Sequence, residues 1–258
     1  MHVFITGAAT GIGEATIDRW LEKDPAASFT IADKNETALA AVCKKLAARG
    51  VKAHGIAADI TQLDKIPVII KEAREKLGPI DILINNAGIM IVEDFSQMSW
   101  ETGKRMLDIN LTAPLRLIYE VLPEMIARKS GGIINIASMA GKALLPGCTW
   151  YGASKAGIGH ASEILYGEVK DHGIHVLTVY PGPIATDLEK GARQGYEENW
   201  VTQMMPVGDR YKLAEKIVAA YFKQETVLAY PEIYDTARHF HSLAGWFVRI
   251  FAPKTRAA

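Results

Sequence analysis

Short runs of apolar, mostly β-branched residues alternate with longer stretches of helical periodicity along most of the chain. The apolar runs fall at residues 2–7 (HVFITG), 28–33 (SFTIAD), 51–59, 81–88, 132–138, 174–182 and 226–231. Most are apolar throughout rather than alternating, which predicts strands covered on both faces of a parallel sheet. The stretch ETALAAVCKKLAARG between the second and third runs begins at Glu36, turns basic, and stops at Gly50, the charge gradient and terminator of a helix. Strand, helix, strand, repeated, predicts an α/β fold with a doubly wound sheet. No Gly/Ser/Pro-rich linker, low-complexity tract or internal repeat interrupts it, so residues 1–258 are expected to form a single domain.

Composition narrows the partners. Lys plus Arg and Asp plus Glu number 29 each, so no net charge draws the molecule toward nucleic acid, and a small-molecule substrate is expected instead. Cys43 and Cys148 stand far apart, with no CxxC or Cys/His spacing, which suggests neither a disulfide framework nor a metal site and fits a reducing compartment. The N-terminus enters a strand pattern directly and no run of about 18 apolar residues occurs, so a cytoplasmic location is expected.

Two local patterns carry chemistry. In TGAATGIGEA (6–15) the glycines at 7, 11 and 13 let the backbone turn tightly between a strand and a helix whose free N–H groups face an anion, a cradle for pyrophosphate. The spacing departs from GxGxxG. Asp33 closes the second run, where a carboxylate accepts from a ribose 2′-hydroxyl and repels a 2′-phosphate. In WYGASKAG (150–157), Tyr151 and Lys155 lie one helical turn apart on one face. An ammonium held beside a phenol favours the phenolate, so Tyr151 is expected below its ordinary pKa of about 10.

TGxxxGIG at 6–13, NNAG at 85–88, Ser138, YxxxK at 151–155 and PGPIAT at 181–186 together resemble the short-chain dehydrogenase/reductase family from residue 2 to about residue 190. The resemblance implies a single Rossmann-type domain with a seven-stranded parallel sheet and helices on both faces. It also implies a nicotinamide cofactor and a catalytic quartet of Asn110, Ser138, Tyr151 and Lys155. Tyr151 would move the proton that accompanies hydride transfer, Lys155 would also bind the nicotinamide ribose, and Ser138 would donate to the substrate oxygen. Asn110, expected to open a helix across the cleft, would hold a water linking Lys155 to solvent. The cofactor seat would comprise Gly7, Thr10, Gly11, Ile12, Gly13, Asp33, Asp59, Ile60, Asn86, Ala87, Gly88, Pro181, Gly182, Ile184 and Thr186 beside Tyr151 and Lys155. NAD is expected over NADP, because Asp33 opposes a 2′-phosphate and Thr10 stands where this family keeps a cation, although Lys34 is adjacent.

The substrate is less legible. Residues 187–210 are long, polar and Gly-bearing, and read as a lid. Trp200, Met204 and Met205 within them, with Leu144, Leu145 and Trp150, either wall an oily pocket or pack the core; Arg193 and Lys142 are the candidate anion partners. Residues 232–256 are amphipathic, with Phe240, Leu243, Phe247, Ile250 and Phe251 at helical spacing and basic residues near the ends. Such a helix packs on its own domain or on a partner subunit of a homodimer or homotetramer, lies on a membrane surface through 238–256, or closes the cleft. The expected activity is interconversion of a secondary alcohol and a ketone on a mainly apolar, hydroxysteroid-like or aliphatic molecule. A 3-oxoacyl thioester reductase, a non-catalytic dinucleotide-sensing regulator, and dehydratase or epimerase chemistry stand as alternatives.

Overall fold

The computed structural model describes residues 1–197 and 206–234. Seven strands form one sheet in the order β3-β2-β1-β4-β5-β6-β7, every pair parallel. They are β1 (His2–Thr6), β2 (Ser28–Asp33), β3 (Ala53–Ala57), β4 (Ile82–Asn85), β5 (Gly131–Ile136), β6 (Ile174–Pro181) and β7 (Val227–Tyr230). The helices are α1 (Gly11–Lys23), α2 (Glu36–Ala48), α3 (Ile66–Leu77), α4 (Trp100–Leu107), α5 (Ala113–Arg128), α6 (Thr149–Val169), α7 (Asp187–Gln194) and α8 (Arg210–Phe222).

The uninterrupted apolar runs are explained by burial on both faces. Val3 and Ile5 of β1 pack with Ile17 and Trp20 of α1, Leu39 of α2 and Ile217 of α8. Phe4, between them, points the other way, into the cluster of Ile70 from α3 and Leu117 from α5. Alternate residues of one strand thus feed two cores, which a two-sided sheet requires. The strand order reverses between β1 and β4, and the crevice outside their C-terminal ends is where a doubly wound sheet offers a site.

Three elements differ from expectation. The fourth run ends as a strand at Asn85, so Asn86 to Gly88 form a loop above the sheet. Asn110 does not open a helix: it sits in a wide π-type turn, Asp108–Thr112, that joins α4 to α5 without a break. Pro114 near the start of α5 has no N–H to return to the Asn110 carbonyl and would crowd it, and the wide turn absorbs that mismatch. The stretch expected as a lid begins as α7, capped by the Thr186 hydroxyl, which accepts from the Glu189 amide at 3.4 Å. Trp200, Met204 and Met205, and the C-terminal segment from residue 235 onward, lie outside the described residues. Among the described residues no helix is long and apolar enough to cross a membrane.

Candidate active site

The C-terminal ends of β1, β2, β4, β5 and β6 open into one cleft of about 1200 Å³. Gly7, Thr10, Gly11, Ile12, Asp33, Asp59, Ile60, Asn86, Ala87, Gly88, Pro181, Gly182, Ile184 and Thr186 line it together with Ser138, Tyr151 and Lys155.

The glycine cradle is built by close approach of the loops after β1 and β4. Gly7 has φ 65, and a Cβ there would lie 2.6 Å from the Ala87 Cα. The Thr6 hydroxyl accepts from the Asn86 and Ala87 amides at 3.1 Å each, and the Asn86 side chain donates back to the Gly7 carbonyl at 2.8 Å. Gly13 differs from expectation: it does not line the cleft, and a Cβ there would meet the Ala8 Cα and the Asn86 Nδ2 at 2.7 Å, so its task is to let α1 pack against the loop. A floor without side chains, leading to the N-terminus of α1, fits the diphosphate of a dinucleotide. At the rim, the Asp33 carboxylate accepts from the Ala9 amide at 3.1 Å and the Asn35 amide at 2.9 Å. Asp59 accepts from the Thr61 amide and hydroxyl at 3.0 and 2.7 Å. Burial pushes the Asp59 carboxyl up, but those hydrogen bonds and the charges of Arg105 and Lys34 outweigh it and hold it below the usual range.

Tyr151 lies in the first turn of α6 and is 7 % exposed; Lys155, one turn on, is 5 % exposed. Burial pushes the Tyr151 phenol up to about 12, against the opposing hydrogen bond with Ser138. Burial also lowers the Lys155 ammonium from its ordinary 10.5 to about 8. The expectation of a lowered phenol pKa is therefore overturned here: burial of the phenolate dominates, and the one influence that lowers it is the Ser138 hydrogen bond. Lys155 Nζ donates to the Ile136 carbonyl at 2.7 Å, at the end of β5. Asn110 does not line the cleft. Its side chain donates to the Ile89 carbonyl at 2.9 Å and to the Ser154 hydroxyl at 3.0 Å, and accepts from the Ile89 amide at 3.0 Å. Gly88 lies between it and Lys155: a Cβ there would stand 3.0 Å from Asn110 Oδ1 and 3.4 Å from Lys155 Nζ. Asn110 thus clamps the loop over Lys155 from behind.

The other half of the cleft is mainly apolar. Met90, Leu145, Leu188, Ala192, Tyr196 and Tyr234 line it, none of them singled out by motif except Leu145. Leu144 is 54 % exposed and lies outside the cleft, and so does Trp150. Adjacent residues on a helix point about 100° apart, so a helix that turns Tyr151 inward must turn Trp150 away. Trp150 stacks on Phe95 with ring centroids 5.5 Å apart and meets Trp100 edge-on at 5.3 Å. One polar pair faces this half: Arg193 Nε donates to Glu189 at 2.9 Å, four residues apart on α7. Burial raises the Glu189 carboxyl above its usual range, against the opposing influence of Arg193. Lys142 instead reaches Glu163 at 3.7 Å and the Tyr180 ring at 4.9 Å. Among the described residues no cluster of three His, Cys, Asp or Glu is placed to hold a metal ion.

This sheet, with Ser, Tyr and Lys converging at its crevice beside a glycine cradle, defines an oxidoreductase of the nicotinamide-dependent kind. The chain belongs to the short chain dehydrogenase family, whose sequence profile matches residues 1–197. Among its relatives is the ketoacyl reductase HetN of Nostoc sp., 35 % identical over 183 residues that cover 71 % of this chain and 63 % of that one, less than two thirds of that relative's length. A short-chain dehydrogenase from Sphingobium yanoikuyae in complex with NADPH superimposes with a TM-score of 0.81 at 27 % identity, covering 100 % of this chain and 98 % of that one. A 3-oxoacyl-(acyl-carrier protein) reductase with bound NAD from Brucella melitensis gives 0.76 at 28 % identity, covering 89 % and 88 %.

Proposed function

We propose that this protein interconverts a secondary alcohol and a ketone on a mainly apolar small molecule, hydroxysteroid-like or aliphatic, with Tyr151 as general acid and base. The observation that carries the reading is the convergence of Ser138, Tyr151 and Lys155 in one cleft, between a dinucleotide-sized cradle and the wall of Met90, Leu145, Tyr196 and Tyr234. The nicotinamide, when bound, supplies or accepts the hydride. In the reducing direction the Ser138 hydroxyl donates to the ketone oxygen and Tyr151 delivers its proton there as negative charge develops. With its phenol pushed up to about 12, Tyr151 is almost wholly protonated at neutral pH. Reduction therefore finds its acid ready, whereas oxidation must first remove the proton from a phenol that burial holds protonated. Lys155 and the loop clamped by Asn110 bound the ribose side of the same space, and exclusion of water there strengthens each donor.

NAD is the preferred cofactor. Asp33 is tethered by two backbone amides at the rim, so it cannot swing away from a 2′-phosphate, and the Lys34 charge is shared with Asp59.

A 3-oxoacyl thioester reductase is the second reading, favoured by the names of the Nostoc and Brucella relatives. One panel separates the readings: hydroxysteroids, medium-chain secondary alcohols and their ketones, and 3-oxoacyl thioesters, each followed by the absorbance of reduced nicotinamide. Highest kcat/KM on thioesters would replace the first reading with the second. Cofactor binding without turnover on any of them would indicate the dinucleotide-sensing regulator.

The protein acts in the cytoplasm as a single domain, assembled as a homodimer or homotetramer. Exposed Leu115 and Tyr119 of α5 and Ile164 of α6 support assembly, as apolar residues left for a partner to cover. Light scattering after gel filtration tests it, and a monomer at micromolar concentration would refute it.

A further inference from the structure

The segment that follows the undescribed residues 198–205 returns to the cofactor loop. The Gly208 amide donates to the Pro183 carbonyl at 2.8 Å and the Ala185 amide to the Gly208 carbonyl at 3.0 Å, so Ile184 and Gly208 form a short parallel bridge. A Cβ on Gly208 would stand 2.5 Å from the Tyr230 ring and 2.8 Å from Ile184, so the bridge is tightly packed. Asp209 then caps α8, accepting from the Tyr211 and Lys212 amides at 2.9 Å each. Leu213 and Ile217 lock α8 onto Ile17 and Trp20 of α1. Arg210, the first residue of α8, thereby lines the cleft together with Gly11, Glu14 and Thr186, and the Glu14 charge acts on it.

The charge balance at this end makes the position informative. Glu14, paired with Lys45 at 3.1 Å, Asp59, 3.7 Å from Arg105, and Asp33 line the cleft, and a dinucleotide brings two further negative charges. The other cations of the cleft are engaged: the Lys34 charge acts on Asp59, Lys190 pairs with Asp187 at 3.6 Å, Arg193 with Glu189, and Lys155 is buried against Ile136. Arg210 has a neutral hydrogen-bond partner, the Tyr211 phenol at 3.3 Å, whose ring it also overlies at 5.0 Å. That stacking orients the guanidinium, on which the carboxylates of Glu14 and Asp209 also act.

We propose that Arg210, delivered by the Ile184–Gly208 bridge, is a diphosphate-binding residue that offsets the acidic rim and clamps the cofactor from outside the glycine cradle. The proposal rests on the dinucleotide reading of the cleft. An arginine at a half-exposed site forms charge-assisted contacts with phosphate oxygens that weaken with salt. It also joins cofactor occupancy to the chain after α7, since the bridge ties that chain to the loop bearing Ile184 and Thr186.

The test is equilibrium binding to the full-length protein. ADP-ribose and adenosine are titrated against the parent and Arg210→Gln, by calorimetry or protein fluorescence, at two salt concentrations. Arg210→Gln is expected to raise the Kd for ADP-ribose about 5- to 10-fold at low salt, to flatten its salt dependence, and to leave adenosine unchanged. Arg19→Gln, which removes the other cation over the Tyr211 ring but none from the cleft, should bind ADP-ribose as the parent does. An ADP-ribose Kd within twofold of the parent in Arg210→Gln overturns the proposal, and so does an equal loss for adenosine, which would mean that α8 had shifted. A parent protein that binds neither ligand overturns the dinucleotide reading itself, a result distinct from failure of Arg210 alone.

Discussion

The ammonium of Lys155 donates to the carbonyl of Ile136 at 2.7 Å, and a Cβ on Gly88 would stand 3.4 Å from its nitrogen. The lysine is thus held at the end of β5 under the loop that follows β4, where a Cβ at 88 would also press on Asn110 Oδ1 at 3.0 Å. One cation and one phenol are buried a helical turn apart, and burial disfavours the charged form of each.

Tyr151→Phe removes the proton-transfer group and little volume. Turnover in either direction should fall at least ~10²-fold, with the Kd for the cofactor within about twofold of the parent. Stopped-flow turnover and a binding titration measure the two, and near-normal turnover would remove Tyr151 from the mechanism.

Lys155→Met should stabilise the protein at neutral pH while abolishing efficient turnover. The ammonium has a folded pKa of about 8 against an ordinary 10.5, so between these values the unfolded chain binds more protons and stability rises with pH. Below pH 8 the folded state carries the full penalty of a buried charge, which methionine lacks. Allowing for the lost hydrogen bond to Ile136, the gain at pH 7 should be roughly 1–3 kcal/mol, shrinking from pH 8 toward 10.5. Denaturant melts at pH 7 and 9.5 measure the difference, and a variant less stable than the parent at pH 7 would show that the ammonium is better solvated than its burial implies.

Asp33→Ala should erode cofactor choice. The parent is expected to favour NAD over NADP by at least ~10-fold in kcat/KM, about 1.4 kcal/mol, and the variant to bring the ratio toward unity. Both cofactors are compared at one saturating substrate concentration. An unchanged ratio in the variant would assign discrimination elsewhere, and NADP preferred by the parent would reverse it.

Glu189→Gln should shift the pH dependence of alcohol oxidation. The Glu189 charge is among the influences that raise the Tyr151 phenol, after burial and alongside Cys148. Removing it lowers the cost of the phenolate, so the rising limb of kcat should move to lower pH by roughly half a unit. Measured on one alcohol from pH 6 to 10, a limb that stays in place would mean that the carboxyl is neutral already or too far away to act.

The doubly wound sheet, the glycine cradle, Asp33 at a strand end and the Tyr151–Lys155 pairing were all legible in the chain, because each depends on neighbours a few residues away. A strand buried on both faces is an unbroken apolar run, and a phenol and an ammonium four apart share a helix face whatever surrounds them. Trp150 could wall a pocket or pack, and the same periodicity decides for packing, because it excludes Trp150 from the cleft that Tyr151 faces. Other features had no local signature. Gly13 resembles its neighbours in the motif, yet it meets Asn86 from a loop more than 70 residues away rather than the cleft, and Glu189, Tyr196 and Arg210 join the site through α7 and the bridge at Gly208. The protonation state of the central pair is the deepest such case. A helical repeat places the two groups together, but the sign of each shift depends on how much water is removed, and that is the sum of β4, β5, α4 and α6 closing around them from distant parts of the chain.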